Sequence, residues 1–143
     1  VRYVLSRPDT MIGSDSHAAA PYGPLGRGKP HPRTYGTFPR VLAKYVREEK
    51  VLSLEKAIMK MSYLPAARLR LHERGQIAPG MLADLVVFNP TTVVDRATYQ
   101  QPHRYPSGIN YVIVNGVIVI ASGRHSGLLP GEVLSAPQCA KPS

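Results

Sequence analysis

Residues Met11-Ile12-Gly13-Ser14-Asp15 decide how the rest of this sequence is interpreted. Two apolar residues lead into a Gly-Ser pair, and the stretch ends on a single carboxylate. That order is typical of a buried barrel strand that brings a catalytic acid to its C-terminal end. We therefore predict a short buried strand over residues 10–15. An aspartate here is also a common turn residue, and the stretch by itself favours that simpler interpretation.

Composition limits the classes of protein to which the chain can belong. It has 143 residues and is 43% hydrophobic, which argues against disorder. No apolar run reaches the roughly 20 residues that a membrane-spanning helix needs, so no membrane partner is expected. The one cysteine, Cys139, lies in a Pro- and Ala-rich tail and cannot form an intrachain disulfide, which favours a cytoplasmic location.

The net charge of +9 is unevenly distributed. Residues 1–74 contain 14 of the 18 Lys and Arg residues and 6 of the 9 acidic residues. A basic half is compatible with anionic partners, but the sequence has no zinc finger, RNA-recognition signature or Lys/Arg block. We therefore expect no nucleic-acid partner, and keep a non-enzymatic basic binding module as an alternative hypothesis.

Residues 16–35 form a long predicted loop that is rich in Pro and Gly and in residues with reactive or charged side chains. His31 and Arg33 flank Pro32, and Pro30 precedes them, so this part of the loop is conformationally restricted. Long loops of this kind in compact proteins are often functional. An active-site loop and an ordinary solvent loop are both compatible with these residues.

Periodicity predicts helices before residue 74 and strands after it. Thr37 is the predicted N-cap of a helix over residues 37–50, and Ser53 that of a second helix, on which Lys60 is predicted to be solvated. A helical turn is possible near Asp95, and a structural role is the default for Asp84. Strands are predicted at residues 76–78, 83–88, 109–114, 117–121 and, as an extended piece, 127–134; Asn115-Gly116 predicts a hairpin turn.

Two parts of the sequence together resemble a known family. Gly75–Pro90 and Ile109–Val117 resemble the small β-sandwich of the amidohydrolase superfamily. Met11–Asp15 and His31–Leu42 resemble its D-aminoacylase branch, the N-acyl-D-amino-acid deacylases. The resemblance extends over about residues 9–134.

The resemblance implies an α/β plus β architecture. The chain would be the C-terminal fragment of a TIM-like (β/α)8 barrel followed by the C-terminal part of a small β-sandwich. Residues 1–74 would supply the last barrel strand, the active-site loop and helices. Residues 75–134 would form part of the sandwich, and residues 135–143 a disordered tail.

The resemblance also implies roles for three residues. Asp15 would act at a zinc centre, where it is a candidate ligand, taking a proton from zinc-bound water and passing it to the leaving amine. Arg33 would bind the carboxylate of the N-acyl-D-amino-acid substrate, with His31 lining the same loop. The other metal ligands of the family would lie upstream, so this chain alone is expected to bind no zinc and to be inactive. A longer loop after Asp15, and Ser16 where glycine is usual, depart from the family pattern.

A second enzymatic interpretation remains open. The sandwich motifs also permit a dihydroorotase-like or hydantoinase-like hydrolase of cyclic amides, although the His-Pro-Arg segment argues against it. An isolated last strand and half a sandwich would leave strand edges unpaired, which favours self-association of the fragment.

Overall fold

The first half of the chain is helical. The structure is a computed structural model that describes residues 1–134, so the expected tail at 135–143, with Cys139, lies outside the described residues. In chain order the helical elements are α1 (Arg2–Ser6), a 3₁₀ turn (Pro24–Gly26), α2 (Arg33–Arg40), a π-helix (Val41–Glu48), α3 (Leu54–Met61) and α4 (Tyr63–Arg68). No helix in residues 1–134 is long and apolar enough to cross a membrane.

Helix α2 begins four residues before the predicted N-cap. The turn starts at Pro32, whose carbonyl accepts from the backbone N–H of Gly36 at 3.0 Å. The predicted cap Thr37 lies inside the helix, where its hydroxyl donates to the carbonyl of Arg33 at 2.9 Å. Pro39 has no N–H to donate to the preceding turn, and the chain continues from Arg40 directly into the wider π-helical turns.

Helix α3 confirms the predicted cap at Ser53. The Ser53 hydroxyl accepts from the backbone N–H of Lys56 at 3.3 Å. Glu55 lies in the first turn, where its own backbone N–H and the Ser53 side chain hold the pKa of its carboxyl below the usual value. The prediction for Lys60 was wrong, because its side chain is only 2% exposed.

An antiparallel sheet follows the helices, in the order β1 (Leu85–Phe88), β2 (Ile109–Val114), β3 (Val117–Ala121), β4 (Arg124–His125). The predicted β2–β3 hairpin is confirmed. Asn115 and Gly116 both have positive φ, 47° and 79°, as the tight hairpin turn requires. Asp84 accepts from the Asn115 backbone N–H at 2.8 Å and pairs with Arg74, which confirms its structural role.

Three other strand or helix predictions were wrong. Residues 10–15 and 76–78 are not strands, and no helical turn forms near Asp95. Residues 127–134, predicted as an extended piece, do not join the sheet. A strand needs a hydrogen-bonded partner strand, and within residues 1–134 these segments have none. The described residues therefore contain a small antiparallel sheet and helices rather than a complete barrel.

The buried core joins the helices to the segment that follows β1. It consists of Val41, Leu42, Leu52, Ala57 and Val93. Val93 is fully buried, and the backbone of the next residue, Val94, pairs with Ser107 just before β2. Ile12 packs against this cluster from the segment that leads to Asp15. The core thus holds together the parts of the chain that contain the candidate site.

Candidate active site

Asp15 lies at the end of an extended segment, and its carboxylate points into solvent. Its side chain is 84% exposed. Its backbone φ is 50°, in the left-handed region that Asp tolerates better than most residues. Three residues earlier, the backbone N–H of Ile12 donates to the carbonyl of Lys60 at 3.1 Å and fixes the segment against α3. The site therefore presents an accessible carboxylate on an anchored segment.

Arg33 forms an ion pair with Asp15. The Arg33 Nη1 to Asp15 Oδ2 distance is 2.8 Å, and the Arg33 side chain is 45% exposed. The neighbouring residues make a parallel contact, since the hydroxyls of Ser16 and Thr34 are 2.8 Å apart. These two contacts join the segment after Ile12 to the start of α2, which places two of the three predicted site residues side by side.

The guanidinium of Arg33 keeps most of its donors available. Arg has five N–H donors in a planar fork, and the nitrogen closest to the carboxylate of Asp15 is Nη1 at 2.8 Å. Within residues 1–134, the Arg33 side chain makes no hydrogen bond with any other acceptor. A second carboxylate can therefore bind the remaining edge of the fork while Asp15 stays close.

His31 is held by both of its ring nitrogens and makes no bond to Asp15. Nδ1 accepts from the backbone N–H of Arg33 at 3.1 Å, so Nε2 bears the proton of the neutral ring. Nε2 lies 2.9 Å from the hydroxyl of Tyr99, and the two rings meet edge to face at 5.1 Å. His31 thus fixes the backbone at Arg33 and links it to the segment between β1 and β2.

A second histidine links the same two parts of the chain. His103 Nε2 lies 2.9 Å from the carbonyl of Gly28, and Nδ1 lies 3.3 Å from the hydroxyl of Tyr35. Burial raises the pKa of Tyr35, and also that of Tyr105, whose ring packs against it edge to face at 5.8 Å. The loop between Asp15 and α2 therefore has a defined position against residues 95–106.

A cleft of about 390 Å³ opens between the start of α2 and residues 95–100. His31, Arg33 and Tyr99 line one part of it. At another, Arg40 Nη1 binds Asp95 Oδ2 at 3.0 Å, and this carboxylate raises the pKa of the Arg40 guanidinium. Each of the two arginines that line the cleft is thus paired with a carboxylate, Arg33 with Asp15 and Arg40 with Asp95.

Sequence reasoning missed Tyr99, His103 and Lys60. His103 belongs to no motif in the sequence, but it contacts Tyr35 and Gly28. Tyr99 lies 68 residues from His31, and His103 lies 68 residues from Tyr35, so no local pattern could have indicated these contacts. The long polar segment between two strands was the one available signal, since such loops often line functional sites.

Comparisons with known proteins show the family to which the chain belongs. A model of the amidohydrolase family, Amidohydro_3, matches residues 4–120. The chain belongs to the amidohydrolase family. It is 44% identical over 135 residues to D-aminoacylase of Alcaligenes xylosoxydans xylosoxydans, and 45% identical over 135 residues to N-acyl-D-aspartate deacylase of the same organism.

Solved structures of related amidohydrolases have the same fold over this region. A D-aminoacylase mutant in complex with CuCl2 matches 93% of this chain with a TM-score of 0.84 and 44% identity. N-acyl-D-glutamate deacylase from Bordetella bronchiseptica, complexed with zinc and a phosphonate inhibitor, matches 87% with a TM-score of 0.74 and 42% identity. The match to the two curated relatives extends over 94% of this chain but over only 26% of each relative. This chain likewise spans only 27% and 26% of the two solved chains.

Within residues 1–134, the donor set of this amidohydrolase chain does not make a zinc site by itself. Zinc sites in proteins use three or four N, O or S ligands held around one point. In residues 1–134, no group of three or more His, Cys, Asp or Glu side chains could hold a metal ion. Asp15 is a single exposed carboxylate paired with Arg33, so it could supply at most one ligand. The expected cytoplasmic location and the expected self-association stay predictions.

Proposed function

We propose that this chain is the part of an N-acyl-D-amino-acid deacylase that supplies the catalytic carboxylate and the substrate-binding arginine. The enzyme would hydrolyse the amide bond of an N-acyl-D-amino acid to give a D-amino acid and a carboxylate. The observation that supports this most directly is the pairing of Asp15 with Arg33 at 2.8 Å. Family membership and 42–45% identity to three deacylases of D-amino-acid derivatives support the same substrate class.

We propose one task for each of the three residues. Asp15 accepts a proton from the attacking water as the new C–O bond forms at the amide carbonyl carbon. It returns that proton to the amine nitrogen as the C–N bond breaks, so it ends the cycle as a carboxylate. Arg33 binds the substrate carboxylate through the free edge of its guanidinium, which fixes the amide beside Asp15. His31 holds the backbone at Arg33 in place.

A metal ion would also take part in the proposed reaction. Zinc, held mainly by residues that this chain does not contain, would increase the acidity of the attacking water. Asp15 is the one proposed contact between this chain and that centre. We propose the same division of the chain as the sequence indicates, with residues 1–74 belonging to the catalytic barrel and 75–134 to the small sandwich.

Two variants test the roles of Asp15 and Arg33 in the complete enzyme. Asp15→Asn should lower kcat by about 100- to 10,000-fold, the range that general acid–base groups contribute. Arg33→Met should raise KM about 10- to 150-fold, since a charge-assisted hydrogen bond contributes about 1.5–3 kcal/mol. The control is Arg27→Met, which removes an exposed arginine from the same loop.

The compounds to be assayed are N-acyl-D-amino acids, the same compounds with an amide in place of the α-carboxylate, and cyclic amides. Arg33→Met should affect the carboxylates much more than the amides, and an equal loss on both would contradict the assignment of Arg33. Full activity of Asp15→Asn would refute the role of Asp15. Turnover of dihydroorotate or hydantoins, with none of N-acyl-D-amino acids, would replace the substrate class with cyclic amides.

A further inference from the structure

Lys60 is the only buried charged side chain in residues 1–134. It lies in the last turn of α3 and is 2% exposed, although the exposed Lys56 lies one turn earlier on the same helix. Burying an ammonium group is costly unless its N–H groups are paired. A lysine in this place therefore needs a structural reason that an apolar residue of similar length would not satisfy.

The ammonium group binds three oxygens of the segment that leads to Asp15. It donates to the carbonyl of Arg7, to the carbonyl of Thr10 at 3.1 Å and to the hydroxyl of Thr10 at 2.8 Å. The Thr10 hydroxyl lies 2.8 Å from the carbonyl of Val4, which connects the same cluster to α1. All three donors of the ammonium group are used.

The main chain of Lys60 holds the same segment at a further point. The carbonyls in the last turn of a helix have no partner within the helix. The carbonyl of Lys60 is one of these, and it accepts from the backbone N–H of Ile12 at 3.1 Å. A single residue of α3 thus fixes the chain at Arg7, Thr10 and Ile12, and Asp15 follows three residues later.

We propose that Lys60 is a positioning residue for the catalytic carboxylate, acting through residues 7–12 rather than by contact with the substrate. The inference rests on the proposed function of Asp15. Arg33, which binds the substrate carboxylate, is positioned by α2 and His31 instead. Loss of the Lys60 ammonium group should therefore displace Asp15 and leave the substrate-binding arginine where it is.

The test is a comparison of Lys60→Met with Lys56→Met in the complete enzyme. A small displacement of a catalytic group can lower the rate by about 100-fold, so we expect kcat to fall about 10- to 100-fold in Lys60→Met. KM for N-acyl-D-amino acids should change less than 3-fold, roughly the effect of a weak contact. Lys56→Met should leave both constants unchanged.

Variants at Thr10 test the same contact from its other side. Thr10→Val removes the hydroxyl acceptor and should lower kcat, whereas Thr10→Ser keeps the hydroxyl and should restore it. The double variant of Lys60→Met and Thr10→Val should lose less than the sum of the two single losses, because both changes remove the hydrogen bond between Lys60 and the Thr10 hydroxyl. If Lys60→Met does not fold, as judged by circular dichroism, the Thr10 pair decides the question.

Two results would overturn the inference. The first is a folded Lys60→Met enzyme with the kcat of Lys56→Met. The second is equal kcat for Thr10→Val and Thr10→Ser. Either result, together with a large loss in Asp15→Asn, would reject Lys60 alone and leave the proposed function standing. Unchanged activity in Asp15→Asn would instead reject the proposed function.

Discussion

Replacing Gly108 with alanine should destabilise the enzyme and loosen the residues that support the candidate site. Gly108 has φ of +85°, and a Cβ built on it would lie 2.5 Å from both the Cα and the N of Val93. Those atoms belong to the main chain of a fully buried residue, so they cannot rotate away as a flexible side chain could. The substitution must move the backbone.

The magnitude has two sources. A left-handed conformation costs a residue with a Cβ about 1–2 kcal/mol. Overpacking a well-packed interior costs about 1–3 kcal/mol more. We therefore expect Gly108→Ala to lower the free energy of unfolding by about 2–5 kcal/mol. Gly116→Ala is the matched control, because Gly116 has φ of +79° and open space around its Cβ position.

The same substitution should expose the segment between β1 and β2. Val94 and Ser107 exchange two backbone hydrogen bonds of 3.0 Å, which close the base of this segment beside Gly108. Moving Val93 should weaken that base, so trypsin should cleave after Arg96 and Arg104 faster than in the wild type.

Urea denaturation measures the stability change, and mass spectrometry of the tryptic products locates the cleavage. Equal losses of stability in Gly108→Ala and Gly116→Ala would refute the steric argument, since both residues have the same φ requirement. A loss of stability without faster cleavage at Arg96 and Arg104 would refute the coupling to the segment between the strands.

Three further predictions concern single side chains. Ser53→Ala should lower the free energy of unfolding by about 0.5–2 kcal/mol, measured by urea denaturation, because α3 loses its N-cap. Tyr99→Phe should raise KM about 2- to 13-fold through loss of the hydrogen bond to His31, and an unchanged KM would contradict that contact. The Arg2 side chain holds the pKa of Glu49 below its usual value of 4.5, so the pair stabilises the fold above that pH and less as the pH falls through the lowered pKa. Glu49→Gln should flatten this acid dependence of the thermal midpoint, and an unaltered slope would contradict a stabilising role for the Arg2–Glu49 pair.

Local signals in the sequence predicted the parts of the fold that local physics determines. Asn115-Gly116 specifies a hairpin turn because both residues accept positive φ, and the strands on either side were predicted with their observed bounds. Ser53 specifies a helix start because its hydroxyl accepts a backbone N–H within one turn. Neither feature depends on distant residues.

Predictions that depended on distant residues were less successful. Residues 10–15 have the composition of a buried strand, but a strand forms only beside a partner strand, and none is present within residues 1–134. Lysine is normally solvated, and nothing in its neighbours indicated that Lys60 would find three oxygens of residues 7 and 10.

The candidate site shows the same division. The resemblance to the D-aminoacylase branch selected Asp15 and Arg33, and the structure places them 2.8 Å apart. Their roles in catalysis stay predictions. The resemblance gave no indication of Tyr99 or His103, since hydrogen bonds across 68 residues depend on how the chain folds back on itself.

The contacts of His31 with Tyr99, and of His103 with Gly28, have a consequence for enzyme engineering. They join residues 16–32 and 95–106 into one structural unit, although the two segments are far apart in the sequence. A chimera with residues 16–32 from a relative and residues 95–106 from this chain would place a loop against contact residues of a different protein. Libraries that test the proposed deacylase on other substrates should therefore vary both segments together.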